Sequence, residues 1–325
     1  MATKHRVLEI LEQNRGASIS GEHIAAVLDI SRNIIWRAIK DLRHDGYVIA
    51  AVTNKGYRLD GANDILSAEG IKPFLRPSLS ADMQVYSEID STSREAKAQA
   101  ISNAAHGTVI LSDCQTDGKG RFGRAFFSPP HTGLYMSFVL QAGIIGFANP
   151  TAITAYAALC VCEAIEAACG IQPSIKWVND ILLHGKKIGG ILTEAITDFE
   201  SGGTHEIILG IGLNVSTPPS AFPAAIQAQA GALYPDGNPP VTRNQLAAEI
   251  INRLLAPEMP GEAELFARYK QRLCMLGADI TVTQGTDTYA AKALDINETG
   301  HLIVQTDSGE TRTLSSGEIS ISLTV

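Results

Sequence analysis

The chain has 325 residues, 45% of them apolar and 18% charged, with a formal net charge of −8. That length predicts two or three domains, and the ordinary apolar fraction permits a sizeable core. Its five cysteines, Cys114, Cys160, Cys162, Cys169 and Cys274, are odd in number and form no C-x-x-C pair, which excludes a disulfide-stapled scaffold. The opening Met-Ala-Thr-Lys-His-Arg leads straight into an amphipathic pattern, so no secretory signal is expected and the predicted location is cytoplasmic, with reduced thiols. Charge is uneven. Residues 1–60 carry nine Lys/Arg against seven Asp/Glu, a net of +2, which leaves −10 for the rest. A slightly basic front on an acidic body suits a DNA-reading module joined to an enzyme or sensor.

Residues 4–14 place Val7, Leu8, Ile10 and Leu11 at helical spacing. Ser20 can N-cap a second helix carrying Ile24, Ala25 and Leu28, and Ser31 a third with Ile35, Ile39 and Leu42 inward and Gly46 at its end. The opposite face of that third helix offers Arg32, Asn33, Trp36, Arg37 and Lys40. Residues 47–52, the turn 53–56 with Lys55, and residues 57–59 then read as a hairpin. Three helices plus a hairpin make a winged helix-turn-helix over residues 1–62, with the third helix expected in a major groove. A protein-interaction module with solvated basic residues is the bland alternative.

Residues 63–83 read as a linker with one short helix around Ser67–Leu75. Tyr86 onward reads as a strand ending in Asp90-Ser-Thr, followed by a helix capped by Ser91 or Thr92. Its hydroxyls at a helix N-terminus can hold a polar ligand group, although an ordinary cap looks the same. After the apolar run Thr108–Ser112 comes Gln115-Thr-Asp followed by GKGRFGR, residues 118–124. This segment offers backbone N–H groups and cations to a polyanion. It also satisfies G-x-G-x-x-G, but Pro129-Pro130 follows too soon for the helix that a dinucleotide fold requires. A kinase glycine loop is excluded because no H-R-D or D-F-G follows.

Gly133–Leu140 alternates as a strand. The apolar stretch Thr151–Cys169 contains Glu163 and Glu166, so it reads as a buried core helix rather than a membrane span. Ser174–Leu183 is expected as one strand, turning at His184 to Lys186 into a return strand that begins at Lys187. Glu206–Val215 is a further strand. Its glycines, with Gly189 and Gly190, would let a flat ligand approach the backbone. From Gly277 to Val325, alternating strands with turns at residues 297–300 and 307–310 make a small β module.

The set Asp90-Ser-Thr, Gln115 with GKGRFGR, Lys176-Trp-Val-Asn-Asp180, Lys187-Ile-Gly-Gly-Ile-Leu and Gly210-Ile-Gly-Leu-Asn214 resembles the biotin–protein ligases. With the front module, it resembles the bifunctional bacterial type, ligase and biotin operon repressor in one chain. The resemblance spans nearly the full length. It implies an α+β multidomain chain: a winged helix-turn-helix, a central mixed α/β ligase domain of the biotin/lipoate ligase type over residues 84–273, and an SH3-like β-barrel over residues 274–325. It implies that biotin and MgATP give biotinyl-5′-AMP and pyrophosphate, and that biotin then passes to a lysine of a biotin carboxyl carrier protein. It further implies a homodimer, promoted by biotinyl-AMP, that binds operator DNA, and no membrane partner.

By the same resemblance Lys187 would sit between the biotin carboxylate and the α-phosphate, with Lys119 and Arg121 supplying loop cations to the chemistry. Ser91, Thr92, Ser93, Gln115, Lys119, Gly120, Arg121, Lys187, Gly189 and Gly190 match the biotin-binding positions. Gly118, Phe126, Asn179, Asp180 and Asn214 match the ATP and adenylate positions, with Asp180 near the metal. Read alone, Lys187 is an exposed hairpin lysine, Asp180 a turn residue and Phe126 a core aromatic. The chain departs from the family pattern at Lys119 and Phe122, where the loop is usually basic with arginine, at Ser93 for asparagine, and at Val178 for proline. Two other readings follow from these departures and from fold similarity: a ligand-sensing winged-helix repressor with little ligase activity, and a related ligase acting on lipoate or another short acid.

Overall fold

The computed structural model describes residues 3–53, 55–79, 81–147, 149–197 and 204–321. Asn54 in the expected wing turn and the last four residues of the tail lie outside them. The front module consists of α1 (Thr3–Gln13), α2 (Gly21–Leu28) and α3 (Arg32–His44), followed by the antiparallel hairpin β1 (Ile49–Val52) and β2 (Gly56–Leu59). The 3.6-residue spacing turns Val7, Leu11, Ile24, Ile35, Ile39 and Leu42 onto one shared core, closed by Leu59 from the wing. Ser20 caps α2 by accepting from the His23 N–H at 3.0 Å. Ser31 holds the N-cap position of α3 without a side-chain cap bond, so only half of that expectation stands. The wing strand starts at Ile49 rather than Tyr47, because the Tyr47 N–H closes the end of α3 on the Leu42 carbonyl.

The linker carries α4 (Ala68–Ile71), capped by Ser67, which accepts from the Gly70 N–H at 3.0 Å, and a 3-10 turn over Lys72–Phe74. The central region then runs β3 (Met83–Tyr86), α5 (Thr92–Ile101), β4 (Thr108–Ser112), β5 (Gly133–Gln141), α6 (Ala142–Ile145), α7 (Pro150–Cys169), β6 (Ser174–Lys176), β7 (Asp180–Leu183), β8 (Lys186–Thr197) and β9 (Thr204–Asn214), and continues through α8 (Ala224–Gln227), α9 (Arg243–Leu254) and α10 (Glu262–Gln271). Its seven strands form one sheet in the order β3-β4-β5-β9-β8-β7-β6, parallel between β3 and β4 and antiparallel elsewhere.

α7 is apolar around most of its circumference, which suits burial on several sides. It packs against α9, α10 and β8. Its composition would suffice to cross a membrane, yet 67% of its most apolar stretch is buried inside the protein, as expected for a core helix. Asn149 caps it by accepting from the Thr151 N–H, and Gly170 ends it in the left-handed region. All five cysteines are unpaired, and burial pushes the Cys160 and Cys162 thiols up to about 12.

Two strand expectations are corrected. β3 ends at Tyr86, short of Asp90, and the chain reaches α5 through an irregular link in which Ile89 bridges Gln115. Residues 174–183 are not one strand but the hairpin β6–β7. The break falls where Trp177, 2% exposed, is drawn into the core and its Nε1–H donates to the Gly300 carbonyl at 3.0 Å, while Val178 accepts from the Tyr269 hydroxyl. α9 and α10 were not foreseen. α9 is opened by a capping box between Thr242 and Gln245.

The C-terminal strands β10 (Asp279–Gln284), β11 (Asp287–Ile296), β12 (Leu302–Thr306), β13 (Thr311–Leu314) and β14 (Glu318–Ile321) form an antiparallel sheet in the order β13-β12-β11-β10-β14. Among the described residues the two ends of that ladder, β13 and β14, do not pair, so no closed barrel is present. Apolar packing runs without interruption from the central sheet through α7 to Ile280, Val282 and Leu302 of this sheet.

Candidate active site and nucleic-acid face

The floor of the site is a glycine-rich patch of β8 and β9. Gly190 pairs with Gly212, and Leu192 with Gly210. A Cβ on Gly212 would lie 2.5 Å from the Phe126 ring, and one on Gly210 2.7 Å from Ser93 Oγ. A Cβ on Gly190 would meet the Lys187 side chain at 3.3 Å. Ser93, Phe126 and Lys187 therefore lie along one face of these two strands. Gly189 points to the other face, toward Leu213, so of the two predicted glycines only Gly190 belongs to the floor.

A network of hydroxyls and one amide lines part of this face. Gln115 Oε1 accepts from the Thr92 N–H at 2.9 Å and its hydroxyl at 3.1 Å, and Gln115 Nε2 donates to Ser128 Oγ at 2.8 Å. Ser137 Oγ donates to Thr92 Oγ1 at 2.9 Å and shares a hydrogen bond of 3.1 Å with Ser93 Oγ. Ser91 is buried at the N-cap of α5. Gly118 is sterically required here, since a Cβ would come within 2.7 Å of Ser128 Oγ and 2.5 Å of the Phe126 carbonyl.

The second part is a charge cluster. Asp180 opens β7 and pairs with Lys187 Nζ at 2.5 Å and Lys176 Nζ at 2.8 Å. Burial alone would push the Asp180 carboxyl up, but Lys187 and Lys176 outweigh it and hold it below its ordinary value. A bulge in the β7–β8 pairing, where Leu182 faces Lys187 but Ile181 faces Gly189, re-aims Lys187 toward Asp180. The Lys187 backbone is fixed on both sides, its N–H on the Gln229 carbonyl and its carbonyl on the Gly231 N–H. Arg121 Nη1 donates to Asn179 Oδ1 at 3.0 Å, and Asn179 Nδ2 to the Ile191 carbonyl at 2.9 Å. Burial lowers the pKa of the Arg121 guanidinium, with Asp180 opposing that shift.

The loop cations do not converge as expected. Each takes a different protein acceptor: Lys119 binds Asp117 at 2.8 Å, Arg121 binds Asn179, and Arg124 reaches Glu318 of the C-terminal sheet at 2.5 Å. Asp117 also pairs with Arg94, which binds Asp90, so Lys119 belongs to a surface chain of ion pairs. A Cβ on Gly120 would lie 3.4 Å from the Arg124 carbonyl. Phe122 is 68% exposed and stands in the left-handed region at φ 55°, with Arg121 stacked on its ring at 4.9 Å.

Phe126 packs edge-on against Tyr135 at 6.3 Å and covers Gly212. Asn214, at the end of β9, is 5% exposed; its Nδ2 donates to the Gly231 carbonyl while its buried Oδ1 has no protein partner. Among the described residues no cluster of three or more His, Cys, Asp or Glu could by itself hold a metal ion.

On α3, Arg32, Asn33, Trp36, Arg37 and Lys40 are all exposed on one side, with Lys55 exposed at the wing turn. Trp36 is 57% exposed, with Lys40 Nζ 5.8 Å from its ring centre, and Arg32 pairs with Glu22 of α2 at 2.7 Å.

Three contributors were missed. Lys176 stands in the recognised motif, but only the hairpin brings it opposite Asp180. Ser137 is the single hydroxyl in the apolar strand 133–140 apart from Tyr135, and that interruption is a usable signal for a buried polar network. Ser128, beside the diproline, gave none.

Residues 85–214 match the Biotin/lipoate A/B protein ligase family, residues 3–58 an HTH domain and residues 275–322 the Biotin protein ligase C terminal domain. The chain is 32% identical to the bifunctional ligase/repressor BirA of Bacillus subtilis, across 93% of this chain and 94% of that one. It is 26% identical to the Escherichia coli protein of the same description, across 93% and 92%. Among solved structures it resembles a biotin protein ligase from Aquifex aeolicus in complex with biotin and ATP, with a TM-score of 0.63 and 28% identity, covering 74% of this chain and 98% of that one. On this full-length similarity, the chain belongs to the family of bifunctional biotin–protein ligase/repressors.

Proposed function

We propose that the chain activates biotin with MgATP to biotinyl-5′-AMP, transfers biotin to a lysine of a biotin carboxyl carrier protein, and represses biotin synthesis as an adenylate-bound homodimer on operator DNA. The observation that carries the reading is the pairing of a hydroxyl–amide network with a lysine–carboxylate cluster along one glycine-floored face. Donors and acceptors on Ser91, Thr92, Ser93 and Gln115 suit a ureido ring. In the first step a biotin carboxylate oxygen bonds to the α-phosphorus and the bond to the β-phosphate bridging oxygen breaks, releasing pyrophosphate. Both reactants are anions, so the step needs fixed cations. Lys187 supplies one at the carboxylate and α-phosphate, with Arg121 and Lys119 delivered by the loop and Gly120 giving its backbone to the adenylate.

In the second step the acceptor lysine nitrogen bonds to the acyl carbon and AMP leaves. Gly118 and Phe126 shape the adenine side, Asn179 holds Arg121 in place, and the unsatisfied Asn214 Oδ1 offers an acceptor to a ribose hydroxyl. Mg²⁺ arrives with ATP. Asp180 is the carboxylate that would meet it, in keeping with a cation held by phosphates and one or two carboxylates. Its pairing with two lysines argues against a separate resident metal.

The organisation we propose is a winged helix over 1–62, a linker over 63–83, a catalytic domain over 84–273 and an SH3-like domain over 274–325. Arg32, Asn33, Trp36, Arg37, Lys40 and Lys55 meet DNA, and the chain works in the cytoplasm. The test is biotin-dependent exchange of labelled pyrophosphate into ATP, with lipoate as competitor. Exchange that requires biotin and ignores lipoate supports the reading. Biotin binding without exchange would point to a sensor-repressor, the reading favoured by the outward-turned Lys119 and the exposed Phe122.

A further inference from the structure

Arg243 opens α9 with its side chain only 2% exposed, and it joins three segments that are remote in sequence. Its Nε donates to Asp64 Oδ2 at 2.9 Å and its Nη2 to the Asp64 carbonyl at 2.7 Å, while its backbone N–H reaches Asp64 Oδ1 at 2.7 Å. Its Nη1 donates to Asp113 Oδ1 at 2.5 Å and to the Gly133 carbonyl at 3.1 Å. Asp113 directly follows β4 and Gly133 is the first residue of β5. They are the two feet of the loop that carries Gln115, Lys119, Arg121 and Phe126. Asp64 lies in the linker to the DNA-binding helices.

The linker is held from the other side too. Arg15, just past α1 and paired with Glu12, donates to the Asn63 carbonyl at 2.6 Å. Asn244, next to Arg243, donates to the Ile65 carbonyl at 2.8 Å and accepts from the Ser67 N–H at 3.1 Å. A path of direct hydrogen bonds and short chain segments thus runs from the active-site loop through Arg243 and the linker to α1. Beside this path lies a cleft of ≈ 1140 Å³ whose walls include Lys4, His5, Tyr86, Asp113 and Arg243, and α1 also meets the linker helix through His5 Nδ1 and Glu69 Oε1 at 3.0 Å. α9 itself does not call for this arginine, since its start is satisfied by the capping box and its body by the buried Leu246, Ile250 and Leu254.

We propose that Arg243 is a positioning residue that couples the active-site loop to the DNA-binding module, so that ordering of the loop by biotin and ATP is transmitted to the linker. The coupling rests on the ligase reading above, and its test separates the two. Hydrogen exchange is followed in the full-length chain at residues 61–67 and 113–133, with and without biotin and MgATP, for the wild type, Asp64→Asn and Arg243→Lys. In the wild type both segments slow when the substrates are added. In Asp64→Asn, whose replaced side chain is on the linker side and 29% exposed, the loop still slows but the linker no longer responds.

Arg243→Lys keeps the charge and loses the fork, so KM for biotin and ATP rises roughly 2- to 30-fold while kcat stays within about threefold. A role confined to holding the fold together would not produce that split. A linker that responds in Asp64→Asn as it does in the wild type overturns the coupling, as do unchanged KM values in Arg243→Lys. A wild-type chain that exchanges pyrophosphate and orders its loop but leaves the linker unchanged overturns the coupling while the ligase reading stands. A wild type without pyrophosphate exchange overturns both.

Discussion

Replacing Lys187 by alanine removes one of two cations on Asp180 and leaves the other, Lys176, at 2.8 Å. The two consequences differ greatly in size. Lys187 is 40% exposed in its side chain, so its ion pair stabilises the fold by only about 0.2–1 kcal/mol. For a chain of this size that lowers Tm by at most roughly 4 °C. In the reaction the same charge faces a carboxylate and a phosphate. A unit charge ~4 Å away in a medium of effective dielectric constant ~20 is worth about 4 kcal/mol, equivalent to roughly 10³ in rate. Removal of a single electrostatic donor elsewhere costs about 10²–10³. The expected result is a loss of about 10²–10³ in biotin-dependent pyrophosphate exchange with a nearly unchanged melting curve. Exchange within about threefold of wild type, well below that range, would refute the role given to Lys187. A collapse of Tm by more than ~10 °C would refute the separation of chemistry from folding.

Gly212→Ala places a methyl group 2.5 Å from the Phe126 ring, and overpacking of this kind costs about 1–3 kcal/mol. KM for ATP should rise roughly tenfold or more, and an unaltered KM at saturating biotin would remove Phe126 from the adenine site. Because the Asp180 carboxyl is held below its ordinary value, its contribution to stability is fully present above about pH 4 and is lost only as pH falls through the depressed value. Asp180→Asn should therefore flatten the acid limb of a stability-versus-pH curve below that point, and an unchanged limb would contradict the assignment. Trp177→Phe leaves the buried Gly300 carbonyl without its donor, which costs about 1–3 kcal/mol and should show as a lower urea midpoint. Exchanging Arg37 and Lys40 for alanine should weaken operator binding and reduce its salt slope by about one unit for each phosphate left without its cation; an equal slope would mean that these side chains do not touch phosphates.

Local chemistry was legible where neighbours in the chain decide the outcome. Helical spacing in residues 4–44 gave three helices with their buried faces, because a 3.6-residue repeat needs no distant information. Caps at Ser20 and Ser91 were equally local, since each bonds an N–H three residues ahead. Through the family resemblance, motif order grouped Lys187, Asp180, Asn179 and Gln115 into one expected site.

What spacing could not supply was direction. Gly189 and Gly190 look alike in sequence, and only the pairing of β8 with β9 sends one to the floor and the other to the opposite face. Lys119 and Arg121 looked like two cations for one anion until the ion pair of Lys119 with Asp117 and the hydrogen bond of Arg121 to Asn179 separated them. Lys176 joined the site only through the hairpin at Trp177, which forms because the indole is buried against residues more than a hundred positions away. Arg243 was invisible for the same reason. Its three partners are brought together by the packing of α9 on the central sheet and linker, and a contact between remote segments leaves no periodic trace in either one.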